Sequence, residues 1–497
     1  MRSRITTALP CMLVVASCVP YGDPEEPAPP TPTPDQYAAP GGEEAPAAAR
    51  PLGAQERPWW LALEDPALTT LEERALAGNF NIRSAWARIT QAEALAKQAA
   101  APRWFQVIPE GQASWNRTNA GTFGPSTTYN ASASVPVTYE VDWFAKYEGQ
   151  AQAAHYDAQA ARAEVGTAAM TLSANVAEAW YDLVEARALK RLLADQIELN
   201  ETFQELTVLR FRQGLTSALD THQQRQQVAA SRARLQAFEA QEDVAENRVA
   251  VLVGAMPGEE RVAPVVDELP SVEPLPTAGV PADLLVNRPD LRAAMRRVQA
   301  ADERVAASIA DHLPSLVLSA SAGYAWQKQE VTPDRGTGGM DEGEFSQILN
   351  RTRHGAEYSA GANLTIPLFD GFQRKARIDQ RRGELAESIA DYGDALQQAM
   401  LEVENAVAQE RQQVDRIEHL EEQLDASSDA LESARDRYRQ GLSDFLNVLT
   451  ALQAQQQAEQ ELLAARRQLL SFRIQLHRAL GGTWTTELDP PPAPEMP

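Results

Sequence analysis

Apolar and polar residues alternate most cleanly in four stretches. In the second, Tyr129, Ala131, Ala133, Val135, Val137, Tyr139 and Val141 are apolar, and the residues between them are mostly Ser, Thr, Asn, Glu or Asp. The third carries Leu316, Leu318, Ala320, Ala322, Tyr324 and Trp326 on one face. The fourth carries Tyr358, Ala360, Ala362, Leu364, Ile366 and Leu368, and the first carries Val107, Pro109, Gly111, Ala113 and Trp115. A period of two predicts strands with one apolar face. Strands of about 10–13 residues with aromatic ends suit the wall of a transmembrane β-barrel. The same alternation also suits a half-buried sheet in a soluble protein. Four strands are too few to close a barrel in lipid, so a transmembrane reading requires several chains to share one barrel.

Between the strand pairs the period changes. Residues 145–212 and 372–439 are rich in Ala, Gln, Glu, Arg and Leu and contain no proline, which predicts two very long helices. At 1.5 Å per residue, each spans roughly 100 Å. Apolar residues recur at helical spacing, as in Leu172, Val176, Ala179, Trp180 and Leu183, and again in Phe445, Val448, Leu449 and Leu452. Each long helix ends at the same phrase, "RFRQGL" from Arg210 and "RYRQGL" from Arg437. Glycine there permits a left-handed turn, and a return helix follows, to Val253 and to Leu480. Each half is thus expected to hold an antiparallel helical hairpin.

The two halves share one plan. Gly441 follows Gly214 by 227 residues, and Gly481 follows Gly254 by the same 227. Upstream, "NIRSAWARI" from Asn81 matches "DLRAAMRRV" from Asp290. This predicts an internal duplication of roughly 200-residue units rather than a short-repeat array. Each copy begins with a helix, about 61–101 and 282–312. The expected division is a signal peptide at 1–17, a Pro/Ala-rich tether at 18–57, and a first repeat at 58–254. An inter-repeat linker at 255–287, a second repeat at 288–481 and a Pro-rich tail at 482–497 complete it.

Composition narrows the function. The net charge is −24, with 69 acidic and 45 basic residues, which argues against nucleic acid as a partner. The only cysteines are Cys11 and Cys18, and the six histidines are scattered without metal-ligand spacing. No phosphate loop, nucleophile elbow or zinc-protease motif is present, so no catalytic role, cofactor or metal is expected. Arg2 and Arg4 precede a short apolar stretch too short to span a bilayer, the form of a signal peptide. It ends in Val15-Ala16-Ser17-Cys18, which resembles a bacterial lipobox and makes Cys18 the expected lipidation site. Val19, rather than aspartate, follows it, which implies transfer to the outer membrane.

Taken together, the lipobox, paired strands, long hairpins and Arg-x-Gly-Leu tips resemble the TolC-like outer-membrane efflux proteins. The likeness is greatest to the lipoprotein branch that serves resistance-nodulation-division pumps, and it covers about 58–485. "NRPDLRAA" from Asn287 and "IPLFDGF" from Ile366 are similar to hallmarks of that family. The resemblance implies an α+β membrane protein, a homotrimer with a twelve-stranded barrel and a periplasmic α-helical barrel. It implies a passive exit duct for small molecules (drugs, toxic compounds or metal ions) in the outer membrane of a Gram-negative bacterium. The implied partners are a periplasmic adaptor protein, an inner-membrane pump of that class, and outer-membrane lipid. Carried over residue by residue, Arg212, Gly214 and Leu215 form one adaptor-docking tip, and Arg439, Gly441, Leu442 and Asp444 the other. Relatives often place acidic residues just after the second tip, at the closed aperture. Here Asn447 and Thr450 stand there, with Asp220 in the first half. Two alternatives remain, a duct for an ABC-type protein secretion system and a lipid-anchored periplasmic scaffold with no pore.

Overall fold

The computed structural model describes residues 57–119, 125–258, 264, 266, 268–272, 283–331 and 351–490. The first half begins with α1 (Pro66–Gly78) and α2 (Phe80–Ala100), followed by strands β1 (Gln106–Val107), β2 (Glu110–Thr118) and β3 (Ser126–Val141). Then come α3 (Lys146–Arg212) and the return helix α4 (Ala218–Leu252). The second half repeats the order with α5 (Leu284–Asn287), α6 (Pro289–Ala310), β4 (Ser315–Val331), β5 (Arg351–Thr365), α7 (Gln373–Arg439) and α8 (Phe445–Leu480).

Both long helices run 67 residues without interruption, as their proline-free sequences predict. Each starts one residue after a left-handed residue, Ala145 or Phe372, so the chain turns sharply where strand becomes helix. An aspartate secures the α3 turn: Asp142 accepts from the backbone N–H of Tyr147 and Glu148 at 3.0 and 2.8 Å. At the α7 turn Asp370 accepts from the Arg374 N–H at 3.2 Å. The residues expected on the buried stripes, including Val176, Trp180, Leu183, Val448 and Leu452, are fully buried.

The expected single opening helix is instead broken in both halves, at Asn79 and at Arg288. The break serves a junction. α3 packs along α2 and α6 toward the sheet, and along α4 and α8 toward the far end. At the waist the end of α4 meets the start of α2, and the end of α8 meets the start of α6. Asn79 caps α2 and donates from Nδ2 to the Leu252 carbonyl at 2.9 Å. Arg288, at the matching place, donates from Nη1 to the Ala479 carbonyl at 2.9 Å and to Glu402 at 2.7 Å. Its guanidinium also grips Asp290 at 2.6 Å, so the Asn-Arg-Pro-Asp segment is the clasp of this junction. The backbones nearly touch here. A side chain on Gly254, at φ 81°, would meet the Gly78 carbonyl, and one on Gly481, at φ 78°, the Asn287 carbonyl.

The waist core contains Trp59, Trp60, Trp180, Tyr181 and Trp484. Trp484 belongs to a 3-10 turn, Thr483–Glu487, and packs edge-on against Trp60 at 5.0 Å. The segment expected as a Pro-rich tail from 482 is therefore anchored in the core through Leu488. A buried aromatic outweighs the loop-like composition around it. In the linker, Leu284 is buried and Val266, Leu269 and Val272 pack on the same core.

Charges at the waist are deeply set. Arg473 holds Glu410 at 2.5 and 2.9 Å with both side chains buried. Arg467 reaches Glu178 at 2.5 Å and Asp182 at 2.6 Å. His477 stacks on Trp59 at 5.2 Å, and burial, aided by the charge of Arg473, pulls its pKa down to about 3. Burial pushes Glu72 well above the usual carboxylate range, and neither of its oxygens has a hydrogen-bond partner. Burial in this way favours its neutral form.

Glu185, beside Arg467 and Asp182, is raised by burial to about 7. A carboxyl raised in the folded state favours folding fully below its unfolded pKa, and loses that advantage as pH climbs through its folded pKa. Glu185→Gln is therefore expected to raise the thermal melting temperature of the detergent-solubilised protein above pH 7. The gain shrinks as pH falls toward 4.5. A gain that does not change across this window would contradict the assignment.

Candidate functional site

Two regions carry chemistry that a single chain leaves unsatisfied, the sheet and the hairpin tips. The sheet is antiparallel in the order β1/β2, β3, β4, β5. β1 and β2 hold one continuous register on β3, since Val107 faces Val137 and Glu110 faces Ser134. Between them lie Ile108 and Pro109, opposite Pro136 and Val135. Proline lacks the N–H that a ladder requires, so the expected first strand appears in two pieces. The fourth strand lies further toward Arg351 than expected and stops at Thr365. Ile366 and Leu368 belong to the turn into α7.

Register places the apolar set on one face throughout. Val137 faces Ala320, which faces Ala360; Tyr139 faces Leu318, which faces Ala362; Val141 faces Leu316, which faces Leu364. The opposite face carries Ser134, Thr138, Ser319, Ser321 and Ser359. Among the described residues no α-helix packs along either face, and every residue of β2 and nearly every residue of β5 is exposed. Among the described residues the two edges, β1/β2 and β5, are unpaired on their outer sides. At the end of the sheet nearest the helices, Trp104, Phe105, Trp143, Leu368, Phe369 and Phe372 are all exposed. No helix among the described residues is long and apolar enough to cross a membrane.

At the tips the repeated phrase forms two helix stops of one design. Gly214 and Gly441 are left-handed, at φ 71° and 79°. The N–H of Leu215 bonds back to the Arg210 carbonyl at 2.9 Å, and that of Leu442 to the Arg437 carbonyl at 2.8 Å. These six-to-one bonds are Schellman caps. With its backbone committed to the turn, each leucine side chain projects outward, 61% exposed at Leu215 and 66% at Leu442. Leu219 and Leu446, one turn further on, are exposed as well. Sequence reading passed over this second pair, although the 227-residue offset relates them too. Arg212, Arg439 and Asp444 are also exposed, and Arg439 reaches Asp436 only at 4.0 Å.

The candidate aperture residues lie in the first turns of the return helices. Asp220 completes a capping box, accepting from the Ser217 N–H at 3.2 Å while Ser217 Oγ accepts from the Asp220 N–H at 3.2 Å. Thr216 Oγ1 also donates to Asp220. Asn447 donates to Ser443 Oγ at 2.8 Å, and Thr450 donates back to the Leu446 carbonyl at 2.9 Å. The two tips differ in support. Tyr438 and its counterpart Phe211 occupy equivalent places, yet Tyr438 is 5% exposed and Phe211 45%. Tyr438 is held under the Arg210 guanidinium at 4.3 Å and against Phe445 at 5.6 Å. Phe203 of α3 and Leu431 of α7 share this cluster. Cys18 and the tether lie outside the described residues.

Among the described residues no group of His, Cys, Asp or Glu is arranged to hold a metal ion. The family model described as "Outer membrane efflux protein" matches residues 71–255 and 280–482. The probable efflux pump outer membrane protein TtgC of Pseudomonas putida is 27% identical over 453 residues, covering 88% of each chain. The pyoverdine export outer membrane protein OpmQ of Pseudomonas aeruginosa is 28% identical over 480 residues, covering 92% of this chain and 94% of the relative. Among solved structures, the outer-membrane channel OprN superposes with a TM-score of 0.76 at 26% identity, over 93% of this chain and all of that one. VceC of Vibrio cholerae gives 0.73 at 25% identity, over 86% of this chain and 98% of that one. CusC, at 23% identity and a TM-score of 0.78, over 93% of this chain and 99% of that one, shows the same fold. With both matched segments spanning the strands, the waist and the tips just described, the chain belongs to the outer membrane efflux protein family, the TolC-like channels.

Proposed function

We propose that three copies of this chain form an outer-membrane exit duct for small molecules, coupled through a periplasmic adaptor to an inner-membrane pump of the resistance-nodulation-division class. The observation that carries this reading is the four-stranded sheet, with its in-register apolar face and two unpaired edges. Lipid offers no hydrogen bonds to a strand edge, so β5 of one copy must pair with β1/β2 of the next. Three copies then close twelve strands, with Val137 and Leu364 facing lipid and the serine-rich face lining the pore. Hairpins of about 100 Å from the three copies continue the wall into the periplasm. The common element order, 227-residue offset and paired glycines support an ancestral duplication, with repeats at 58–254 and 288–481. Such a duct is passive: it does no chemistry, and the energy comes from the pump.

In this reading Leu215 and Leu442, with Gly214, Gly441, Arg212, Arg439 and Asp444, meet the adaptor. Six tips from three copies form a quasi-sixfold ring. Asp220, Asn447 and Thr450 face the aperture. Cys18 carries the lipid, and the segment to residue 57 tethers it. The relatives are named for efflux pumps and for pyoverdine export, which favours small molecules over proteins as cargo. A periplasmic scaffold leaves the apolar sheet face without a purpose.

Light scattering in detergent is expected to give a trimer, and planar bilayers to show conductance. A folded, monodisperse monomer would refute the shared barrel. Val137→Arg or Leu364→Arg is expected to destabilise the trimer by ~2–4 kcal/mol near the midplane, less toward the interfaces. Neutral effects at both positions would favour a soluble sheet.

At the tips, a bulky residue at Gly214 or Gly441 is expected to impair efflux while trimers still form and insert. Cysteines at Gln213 and Gln440, exposed beside the glycines, should crosslink to a cognate adaptor. Wild-type efflux from both glycine variants would show that the phrase is only a turn. Cys18→Ala, in turn, should abolish acyl labelling, and acylation that persists would sink the lipoprotein assignment.

A further inference from the structure

A cavity of about 830 Å³ lies above the waist, where α2, α3, α6 and the turn at Thr483–Glu487 converge. Its volume falls within the roughly 300–1,000 Å³ of small-molecule pockets. Arg162 of α3 and Arg292 and Arg296 of α6 line it, and no carboxylate does so among the described residues. In a chain of net charge −24, this is a local reversal. Neighbouring arginines are paired with acids: Arg288 with Asp290 and Glu402, Arg297 with Glu164, Arg304 with Asp157.

Among the described residues the three lining arginines form no such ion pair. Arg292 Nε is enclosed with no hydrogen-bond partner. Its Nη2 lies 3.5 Å from Thr485 Oγ1, a long contact. Burial pulls this guanidinium below the ordinary arginine pKa, and the charge of Asp290 offsets that only in part. Arg296 is turned by Gln299, a neutral acceptor at 2.7 Å, and sits over the Tyr156 ring. Gly166 forms part of the wall, and a side chain there would collide with Thr485 Oγ1 and Pro289. The remaining wall is largely apolar, with Trp86, Leu291 and Met295.

We propose that this cavity binds an amphiphilic anion, its carboxylate or phosphate head held by Arg162, Arg292 and Arg296 and its apolar body against Trp86, Leu291 and Met295. Guanidinium forks match the planar and tetrahedral oxyanions in two-point hydrogen bonds. A bound anion neutralises charges that the fold leaves open, and it bridges α2, α3 and α6 outside the pore wall of the strands. The site needs only the waist of one subunit, so it stands apart from the question of what the duct carries.

Native mass spectrometry of the full-length assembly in a neutral detergent tests this, with dodecyl phosphate and dodecanoate as probes. Uptake of one probe per subunit is expected, whereas dodecanol and inorganic phosphate should bind far more weakly. Tighter binding of dodecyl phosphate would point to a phosphate-headed lipid, and tighter binding of dodecanoate to a fatty carboxylate. Arg162→Gln with Arg292→Gln should weaken uptake by about tenfold or more, since each charge-assisted bond contributes strongly. Lysine at both positions, which keeps the charge but not the fork, should bind better than glutamine and more weakly than the wild type. If the glutamine variant fails to assemble, Met295→Trp, which fills the apolar end, should weaken uptake instead. No uptake by the wild type, as when a neighbouring copy fills the cavity, overturns the proposal. So does uptake indifferent to these substitutions, or equal uptake of dodecanol or inorganic phosphate.

Discussion

Two helix ends meet two helix beginnings at the waist, and the carbonyls left open there must find donors. A buried helix terminus without partners costs as much as several lost hydrogen bonds. Asn79 supplies a donor for α4, and Arg288 supplies one for α8. Because each cap also starts the next helix, α4 continues into α2 and α8 into α6 along the flanks of the long helices. That end-to-end stacking lets a pair of 67-residue helices be covered from the sheet to the tips. Gly78 and Gly254 permit the approach in one half, and Gly481 against Asn287 permits it in the other.

Below and around that junction the interior is unusually polar for a helical assembly. The Glu410–Arg473 pair is buried, and Glu410 Oε2 has no partner. Removing one member of such a pair leaves an uncompensated charge, whereas the intact pair adds little net stability. Further toward the tips, Gln196, Asn200, Gln227 and Gln456 form a buried amide layer joining α3, α4 and α8. Amides bonded this way fix which hairpin lies beside which, because a shifted register strands them without partners.

The tips show how one phrase takes on two settings. Gly214 and Gly441 make the same cap, and Leu215 and Leu442 project alike. Their aromatic neighbours do not behave alike. Tyr438 is folded under Arg210 of the other hairpin, while Phe211 faces outward. The Arg210–Tyr438 contact thus ties the two tips together, with Tyr438 buried and Phe211 exposed.

Much of this was legible in the chain itself, for reasons that are local. Freedom from proline and abundant helix formers set the long helices almost to the residue. Glycine followed by leucine marked the tips, because a left-handed stop needs a residue without a side-chain clash. Alternation marked the strands, and the pairing register then brought the same apolar residues to one face. What sequence could not supply was set by contacts between segments far apart. The breaks at Asn79 and Arg288 exist because other helices end there. The two-piece first strand reflects two prolines that lie near each other only across the β1/β2–β3 ladder. Trp484 is anchored by Trp60, more than four hundred residues earlier. Tyr438 meets Arg210 of α3 only in the folded chain, while its other partner, Phe445, is matched by Ala218 in the first hairpin. Arg162 and Arg292, 130 residues apart, line one cavity solely because α3 and α6 pack side by side. Periodicity is written into consecutive residues, but burial and charge pairing depend on which surfaces meet, and only the tertiary structure decides that.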